Sequence, residues 1–248
     1  MSTILAIETS TELASAALLQ DGKLLARESL GAQTHSDSIL PLVQALLAEA
    51  GLRLQQCDAL AFGVGPGSFT GVRTACGIVQ GLAFGADLPV VPVVTLAAMA
   101  QACHAEHQAE EVLAILDARM GEVYWARYQL VDGDWRELHA PALSAADQVQ
   151  TAGKPVACGN GLNAYADYFS DAFKAREFAA AYPLVMPHAR HVAALGLRAF
   201  SNGHTIAPQE AQPLYLRNKV ALTTAERAVR DAEKQAKGAA AVAAKDAA

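Results

Sequence analysis

The feature that most constrains this chain is a glycine-rich segment at residues 63–83, GVGPGSFTGVRTACGIVQGLA. It overlaps an apolar stretch at 59–64 that predicts a buried strand, and the Gly-Pro-Gly run at 65–67 predicts a tight turn. Ser68 and Thr70 are candidate helix N-caps, because a side-chain oxygen there accepts a hydrogen bond from a free amide of the first helical turn. The segment therefore predicts a strand, a turn and a helix in close succession.

A junction of this kind directs several backbone N–H groups and a helix dipole at one point, as phosphate sites do. The known phosphate motifs do not fit it. A P-loop requires lysine after its second glycine, whereas Val72 follows Gly71. The dinucleotide fingerprint requires glycine where Ser68 or Thr70 stands, and a nucleophile elbow requires glycine at Pro66 and Thr70. Ser68 is therefore predicted to cap a helix and not to act as a nucleophile.

The predicted helix at 70–85 has three glycines on one face, since Gly77, Gly81 and Gly85 recur every four residues. Each glycine inside a helix costs about 1 kcal/mol relative to alanine. Small residues let another element approach the helix closely. Two neighbours are compatible with this pattern: the chain's own sheet, or a helix of another chain.

The two halves of the chain repeat one order of elements, and the Asp21-Gly22 hairpin turn of the first half recurs as Asp132-Gly133 in the second. A further helix is predicted at 186–202. The pattern predicts an α/β fold built from a duplicated unit with mixed sheets. The predicted strands are 3–8, 13–20, 23–29, 59–64, 90–94, 111–117, 122–131, 135–139 and 155–158, and the predicted helices are 36–50, 70–85, 96–108, 144–151 and 162–173.

Composition limits the classes of function. Hydrophobic residues make up 52% of the 248 residues, so a large core is expected, and the net charge of −6 argues against this chain gripping a polyanion alone. The sequence contains no Cys-x-x-Cys pair, so neither a zinc site nor a redox site is predicted from the cysteines. The N-terminus does not read as a signal peptide and no membrane span is predicted, so a cytoplasmic location is expected.

Four segments carry a family resemblance: ILAIETST at 4–11, GPGSFTGVR at 65–73, DARMGEVYWARY at 117–128 and PLYLRNKVA at 213–221. Together they resemble the bacterial TsaB family, also called YeaZ, over about residues 1–220. The resemblance implies an actin-like ATPase (ASKHA) fold of two ribonuclease-H-like domains. The domains are then expected at 1–108 and 109–222, followed by a partly disordered tail rich in Ala, Lys and Glu at 223–248.

The same resemblance implies a non-catalytic subunit in the synthesis of N6-threonylcarbamoyladenosine at adenosine 37 of tRNAs that read codons starting with A. The implied partners are a catalytic TsaD-like protein and a TsaE-like ATPase, with tRNA bound only through the complex. A homodimer through the same surface is also compatible with the family. The partner surface is expected on helices 36–50 and 70–85, at Ile39, Val43, Leu46, Leu47, Thr70, Arg73, Gly77, Gly81 and Gly85.

An actin-like ATPase would hold nucleotide between its halves, and the resemblance locates a vestigial cleft at Glu8, Thr9, Ser10 and Asp117. No glycine follows Glu8 in this segment and no glycine pair follows Asp117 to admit a phosphate, so Glu8 and Asp117 are expected to anchor strand ends or neighbouring loops. The metal-binding histidines of the TsaD family align with Thr95 and Met99, so neither metal nor cofactor is expected. The alternative is an independent enzyme of the same fold, metallopeptidase-like or an ATP-dependent kinase, which would need an intact metal or phosphate site.

Two histidine pairs have the i, i+3 spacing of metal ligands, His104 with His107 and His188 with His191. We expect the second pair on the surface, because no acidic residue or cysteine lies nearby in sequence. The first pair has Glu106, Glu110 and Glu111 close by, and we expect it at a solvated helix end. The aromatic residues Tyr124, Trp125 and Tyr128 are expected to pack within a sheet and not to stack on bases, since few basic residues accompany them.

Overall fold

The computed structural model of this chain describes residues 2–30, 35–175 and 178–217. Met1–Leu216 is one compact unit. The predicted tail at 223–248 lies outside the described residues. Within the described part, no helix is long and apolar enough to cross a membrane.

The first half forms a five-stranded mixed sheet in the order β3-β2-β1-β4-β5. β1 pairs with β2 in antiparallel register and with β4 in parallel register. The strands are β1 Thr3–Glu8, β2 Leu13–Gln20, β3 Lys23–Leu30, β4 Ala59–Gly65 and β5 Val90–Val94, and the helices are α1 His35–Ala50, α2 Phe69–Ala86 and α3 Thr95–His107.

The second half repeats this topology, with the order β8-β7-β6-β9-β10 read from the antiparallel edge. Two antiparallel pairs again lead into two parallel ones. The predicted duplicated α/β fold is confirmed. The strands are β6 Glu111–Asp117, β7 Glu122–Val131, β8 Asp134–Ala145, β9 Val156–Cys158 and β10 Ala180–Tyr182, and the helices are α4 Gly161–Ala164, α5 Asp171–Lys174 and α6 Ala189–Ser201.

Both faces of the first sheet are buried, because successive side chains of a strand point to opposite faces. Leu5 and Ile7 of β1 pack under α1 and α2, whereas Ile4 and Ala6 pack under α6 and part of α3. Gly196 of α6 lies so close to the sheet that a Cβ there would collide with the Ala61 methyl group. α6 therefore packs on the first sheet although it follows the second in sequence, and the predicted boundary between two domains stays a prediction.

Two helix predictions in the second half are wrong. The segment predicted as a helix at 144–151 instead continues β8 to Ala145, which pairs with Glu122 of β7, and ends in a short 3-10 turn. Pairing along the whole of β7 outweighs the weak helical preference of this segment. The helix predicted at 162–173 consists of two single turns, α4 and α5, because Phe169 and Phe173 stack on each other inside the core of the second half.

Candidate functional site

The glycine-rich turn lies against the end of β1. A side chain at Gly63 would collide with the Glu8 carboxylate, and side chains at Gly67 and Gly71 would collide with the backbone of residues 9–10. A Cβ cannot be accommodated at such distances from main-chain atoms. These glycines are therefore required for close packing inside the chain. The backbone of the turn packs against the end of β1, where a phosphate would otherwise have to bind.

The Glu8 carboxylate is fully buried in this packing. It accepts hydrogen bonds from the Ser10 N–H at 2.6 Å and from the Thr95 hydroxyl at 3.3 Å, and Thr95 Oγ1 accepts one from the Gly65 N–H at 3.2 Å. Burial raises the pKa of Glu8 above its ordinary value, and the hydrogen bonds from Ser10 and Thr95 partly oppose that rise. Thr95 therefore links the Glu8 carboxylate to the glycine turn.

The other two predicted cleft residues of the first half are enclosed as well. Thr9 and Ser10 are buried, and the Thr9 hydroxyl donates to the Gly71 carbonyl at 2.7 Å. Glu8, Thr9 and Ser10 therefore present almost no accessible surface to a nucleotide. This corrects the expectation that they line a cleft. The short polar segment that follows a buried strand fastens that strand to α2.

Asp117 occupies the equivalent strand end in the second half. Its carboxylate accepts hydrogen bonds from the Arg119 N–H at 2.7 Å and the Tyr165 hydroxyl at 2.8 Å, while its own N–H donates to Asn160 at 2.9 Å. Arg119 and Met120 both adopt positive φ in the turn that follows. Among the hydrogen bonds of the described residues, the partners of the Asp117 carboxylate differ from those of the Glu8 carboxylate.

The face of α2 that carries the spaced glycines is open. Side chains built at Gly77, Gly81 and Gly85 would meet no described atom within 4 Å. This observation excludes the chain's own sheet as the neighbour that the glycines admit. Next to them the large apolar side chain of Phe84 is 78% exposed.

Sequence reasoning located the start of α2 correctly. Ser68 is the N-cap, and its hydroxyl accepts a hydrogen bond from the Gly71 N–H at 3.3 Å. Thr70 lies within the first turn, exposed to solvent, and its carbonyl accepts from the Thr74 hydroxyl at 3.0 Å. The N-cap prediction for Ser68 is confirmed, and Thr70 belongs to the outer surface of the helix.

Arg73 lies one turn further along α2 and contacts two neighbouring aromatic rings. Its guanidinium carbon is 3.8 Å from the centroid of the Phe69 ring, and its Nε donates a hydrogen bond of 2.6 Å to the Tyr215 hydroxyl. Phe69 and Tyr215 are 48% and 43% exposed. We call Phe69, Arg73 and Tyr215 the Arg73 cluster.

The segment that delivers Tyr215 crosses α2 after the last helix. The Leu214 N–H donates to the Val64 carbonyl at 2.8 Å, and the Ala211 carbonyl accepts from the Gln80 side chain at 3.0 Å. The sequence analysis did not predict that the aromatic side chains of Phe69, Phe84 and Tyr215 are exposed on the surface. The motif PLYLRNKVA marked the neighbourhood of Tyr215, but nothing in its spacing indicated that it returns to α2.

The predicted partner residues of α1 are buried or half-buried inside the chain. Ile39, Val43 and Leu46 are 0%, 3% and 0% exposed and pack on the first sheet, and Leu47 is half-buried against the same core. Ile39, Val43 and Leu46 therefore have no free surface for a partner, which corrects that part of the prediction. The apolar periodicity of α1 marks the face that the helix buries in its own chain.

The second histidine pair is buried and not on the surface, which corrects the earlier expectation. His188 Nε2 lies 2.9 Å from a Glu28 carboxylate oxygen, and its Nδ1 accepts a hydrogen bond from the Arg190 N–H at 3.0 Å, capping α6. Burial, aided by the neighbouring His188 and Arg190, lowers the pKa of His191 to about 4. Among the described residues, no three His, Cys, Asp or Glu side chains are grouped to hold a metal ion.

Comparisons with known proteins connect this site to a family. The model of the family TsaD, tRNA N6-adenosine threonylcarbamoyltransferase, matches residues 29–246. The tRNA threonylcarbamoyladenosine biosynthesis protein TsaB of Haemophilus influenzae is 43% identical over 230 residues, which are 88% of this chain and 94% of the relative. The protein of the same name from Escherichia coli is 42% identical over 224 residues, 88% of this chain and 96% of the relative.

A solved structure agrees with these sequence relatives. YeaZ from Pseudomonas aeruginosa is 40% identical and superposes with a TM-score of 0.81, covering 87% of this chain and 100% of its own. Both the fold and the sequence are thus shared over nearly the full length of the relatives, and the glycine turn and the open face of α2 lie within the shared region. This chain belongs to the TsaB (YeaZ) family.

Proposed function

We propose that this chain is a non-catalytic subunit in the formation of threonylcarbamoyladenosine at adenosine 37 of tRNAs that read codons starting with A, and that it acts by binding a catalytic TsaD-like protein. The observation that carries the proposal is the open face of α2. Gly77, Gly81 and Gly85 form a channel without side chains, bordered by the exposed Phe84. Such a face admits a second helix at short interaxial distance.

The energetics of this face favour association. Removing the Phe84 ring from water stabilises a complex by about 1.5–3 kcal/mol. Each glycine of the channel carries a helix-propensity cost of about 1 kcal/mol that packing inside the chain does not offset. The chain therefore keeps a helix face that is unfavourable for an isolated protein and suited to a partner.

A second copy of this chain is also compatible with the face. In an antiparallel pair of α2 helices centred near Gln80, Phe84 of one copy would lie over Gly77 of the other, and Arg73 would lie near Asp87. Both contacts would occur twice by symmetry. We propose that self-association and binding of the TsaD-like protein compete for this surface.

The non-catalytic role is supported by the use that the chain makes of its own polar residues. The Glu8 carboxylate is enclosed with Ser10 and Thr95, and Asp117 is engaged with Tyr165 and Arg119. General acid–base or phosphate chemistry needs groups that can reach a substrate. Here these groups hold strand ends in position, so we assign the chemistry to the partner.

The remaining parts of the proposal follow from the family and from charge. With a net charge of −6, this chain is poorly suited to bind tRNA alone, so we assign tRNA binding to the complex. A TsaE-like ATPase is the proposed third component, and the cytoplasm the proposed location.

The test is a Gly81→Leu variant of the full chain, mixed with the TsaD-like protein of the same organism and analysed by size-exclusion chromatography with light scattering. The variant is expected to lose the complex while its melting temperature stays equal or rises, because leucine favours an exposed helix over glycine. Ala105→Leu, at an exposed position of α3, is the matched control and is expected to keep the complex. A folded Gly81→Leu variant that binds like the wild type would refute this face as the interface.

A further inference from the structure

The Arg73 cluster fixes an arginine in place before any partner arrives. Phe69, Arg73 and Gly77 are spaced by four residues, so the cluster continues the ridge of α2 that carries the glycine channel. The ring of Phe69 lies under the guanidinium, and the hydroxyl of Tyr215 holds its Nε. An arginine restrained in this way loses less conformational entropy on binding than a free one.

The restrained guanidinium keeps its outer edge available. Its Nε donates to Tyr215, whereas no carboxylate in residues 2–30, 35–175 and 178–217 forms an ion pair with Arg73. The two terminal NH2 groups form a planar, positively charged fork that matches the two oxygens of a carboxylate. The Tyr215 hydroxyl accepts from Arg73 and retains its own proton for donation to the same acceptor.

The residues around this fork favour a protein carboxylate over a nucleic-acid phosphate as its ligand. Phe69 and Tyr215, whose ring centroids are 5.8 Å apart, expose apolar ring surface beside it. Arginine and tyrosine are enriched among the residues that contribute most binding energy in protein interfaces. A nucleic-acid site would need several cations, and the chain as a whole carries a net charge of −6. A single carboxylate on a protein surface is the ligand that fits one fork beside two partly exposed aromatic rings.

We infer that Arg73, oriented by Phe69 and Tyr215, binds an aspartate or glutamate side chain of the partner protein that packs along the glycine channel of α2. This inference rests on the proposed function and adds the chemistry of recognition. Tyr215 is a positioning residue, because it acts through Arg73. Its own place is fixed by the adjacent Leu214, whose N–H donates to the Val64 carbonyl.

The experiment measures the affinity of the full chain for the TsaD-like protein by calorimetry at low and moderate salt. Arg73→Ala is expected to weaken binding about tenfold or more and to flatten the salt dependence. Arg73→Lys is expected to recover only part of the affinity, since lysine lacks the planar fork. Arg136→Ala, an exposed arginine of the second sheet, is the matched control and is expected to bind like the wild type.

A double-mutant cycle tests the role of Tyr215. Tyr215→Phe is expected to weaken binding severalfold in the wild-type background and to have no further effect in the Arg73→Ala background, because it acts only through the arginine. Arg73→Glu is expected to abolish binding, and one acidic-to-lysine substitution in the partner is expected to restore it. Melting temperatures of the variants are expected to stay within a few degrees of wild type.

The failures are distinguishable. If the wild-type chain does not bind the TsaD-like protein, the proposed function fails. If the wild type binds and Arg73→Ala binds equally well, only the inference about Arg73 fails. If Arg73→Ala leaves partner binding intact but weakens binding of tRNA to the isolated chain, the ligand is a phosphate and the carboxylate assignment is overturned. If Arg73→Ala alters only self-association, the carboxylate belongs to a second copy and not to the TsaD-like protein.

Discussion

Gly71 of α2 lies directly against the carbonyl of Thr9, and the Thr9 hydroxyl in turn donates to the Gly71 carbonyl at 2.7 Å. This reciprocal contact joins the end of the central strand to the first turn of the helix. A methyl group at Gly71 would occupy the position of the Thr9 carbonyl. The same helix carries Gly77, where the added methyl group would meet no described atom.

Two alanine substitutions on α2 should therefore have opposite effects. Gly71→Ala is expected to lower the free energy of unfolding by about 1–3 kcal/mol or more, because the turn and strand must separate. Gly77→Ala is expected to raise it by about 0.5–1 kcal/mol, because alanine is the better helix former. Urea unfolding of both variants measures the two changes. A Gly71→Ala variant as stable as the wild type would show that the glycine turn does not pack on the end of β1 as described. A destabilised Gly77→Ala variant would show that its helix face is covered in the free chain.

Phe84 provides a test of the exposed face without changing a glycine. Phe84→Ala is expected to leave the melting temperature almost unchanged, since the ring is 78% exposed. If the ring is buried in the complex, its loss is expected to cost about 2 kcal/mol or more of binding free energy to the TsaD-like protein. Calorimetry of binding, beside thermal unfolding of the free chain, measures both. Unaltered affinity would remove Phe84 from the interface.

His191 makes stability depend on pH on the acidic side. Its folded pKa of about 4 lies below the ordinary value of 6.5, so the unfolded chain takes up the proton first as pH falls. The contribution of His191 to the free energy of unfolding is complete above about pH 6.5 and decreases progressively as the pH falls towards 4. The complete shift corresponds to about 3 kcal/mol. His188, whose pKa burial also lowers, acts in the same direction.

The measurement for His191 is urea unfolding of wild type and His191→Gln between pH 4 and 7. The variant is expected to show a smaller slope of stability against pH, whatever its absolute stability, because glutamine does not titrate. An unchanged slope would mean that His191 is accessible and protonated in the folded chain.

Glu8 is expected to act with the opposite sign at higher pH. Its folded pKa is raised by burial, so the folded chain holds this proton at pH values where the unfolded chain has released it. Its contribution therefore weakens as pH rises from the ordinary carboxyl range through the raised folded pKa. Glu8→Gln, which keeps an acceptor for the Ser10 N–H, is expected to remove that decline in unfolding experiments. A decline of the same size in the variant would assign it to another group.

The sequence alone determined the strands and helices of the first half, the Ser68 cap and the duplicated order of elements. Each depends on local causes: alternation and apolar runs for strands, a side-chain oxygen at the start of a helix, and Asp-Gly turns between strands. The family resemblance then supplied the actin-like fold. The helices predicted at 144–151 and 162–173 failed because pairing with β7 and packing of Phe169 and Phe173 decide those segments.

Only the tertiary structure decided which side of each helix faces solvent. The spacing of Ile39, Val43 and Leu46 is the same whether α1 packs on its own sheet or on a partner, and the structure buries them in the chain. The glycines of GPGSFTGVR and those at 77, 81 and 85 also look alike in sequence. Gly67 and Gly71 lie against residues 9–10 just after β1, whereas the glycines at 77, 81 and 85 are open. Periodicity defines a face, but the neighbour of that face depends on where the rest of the chain lies.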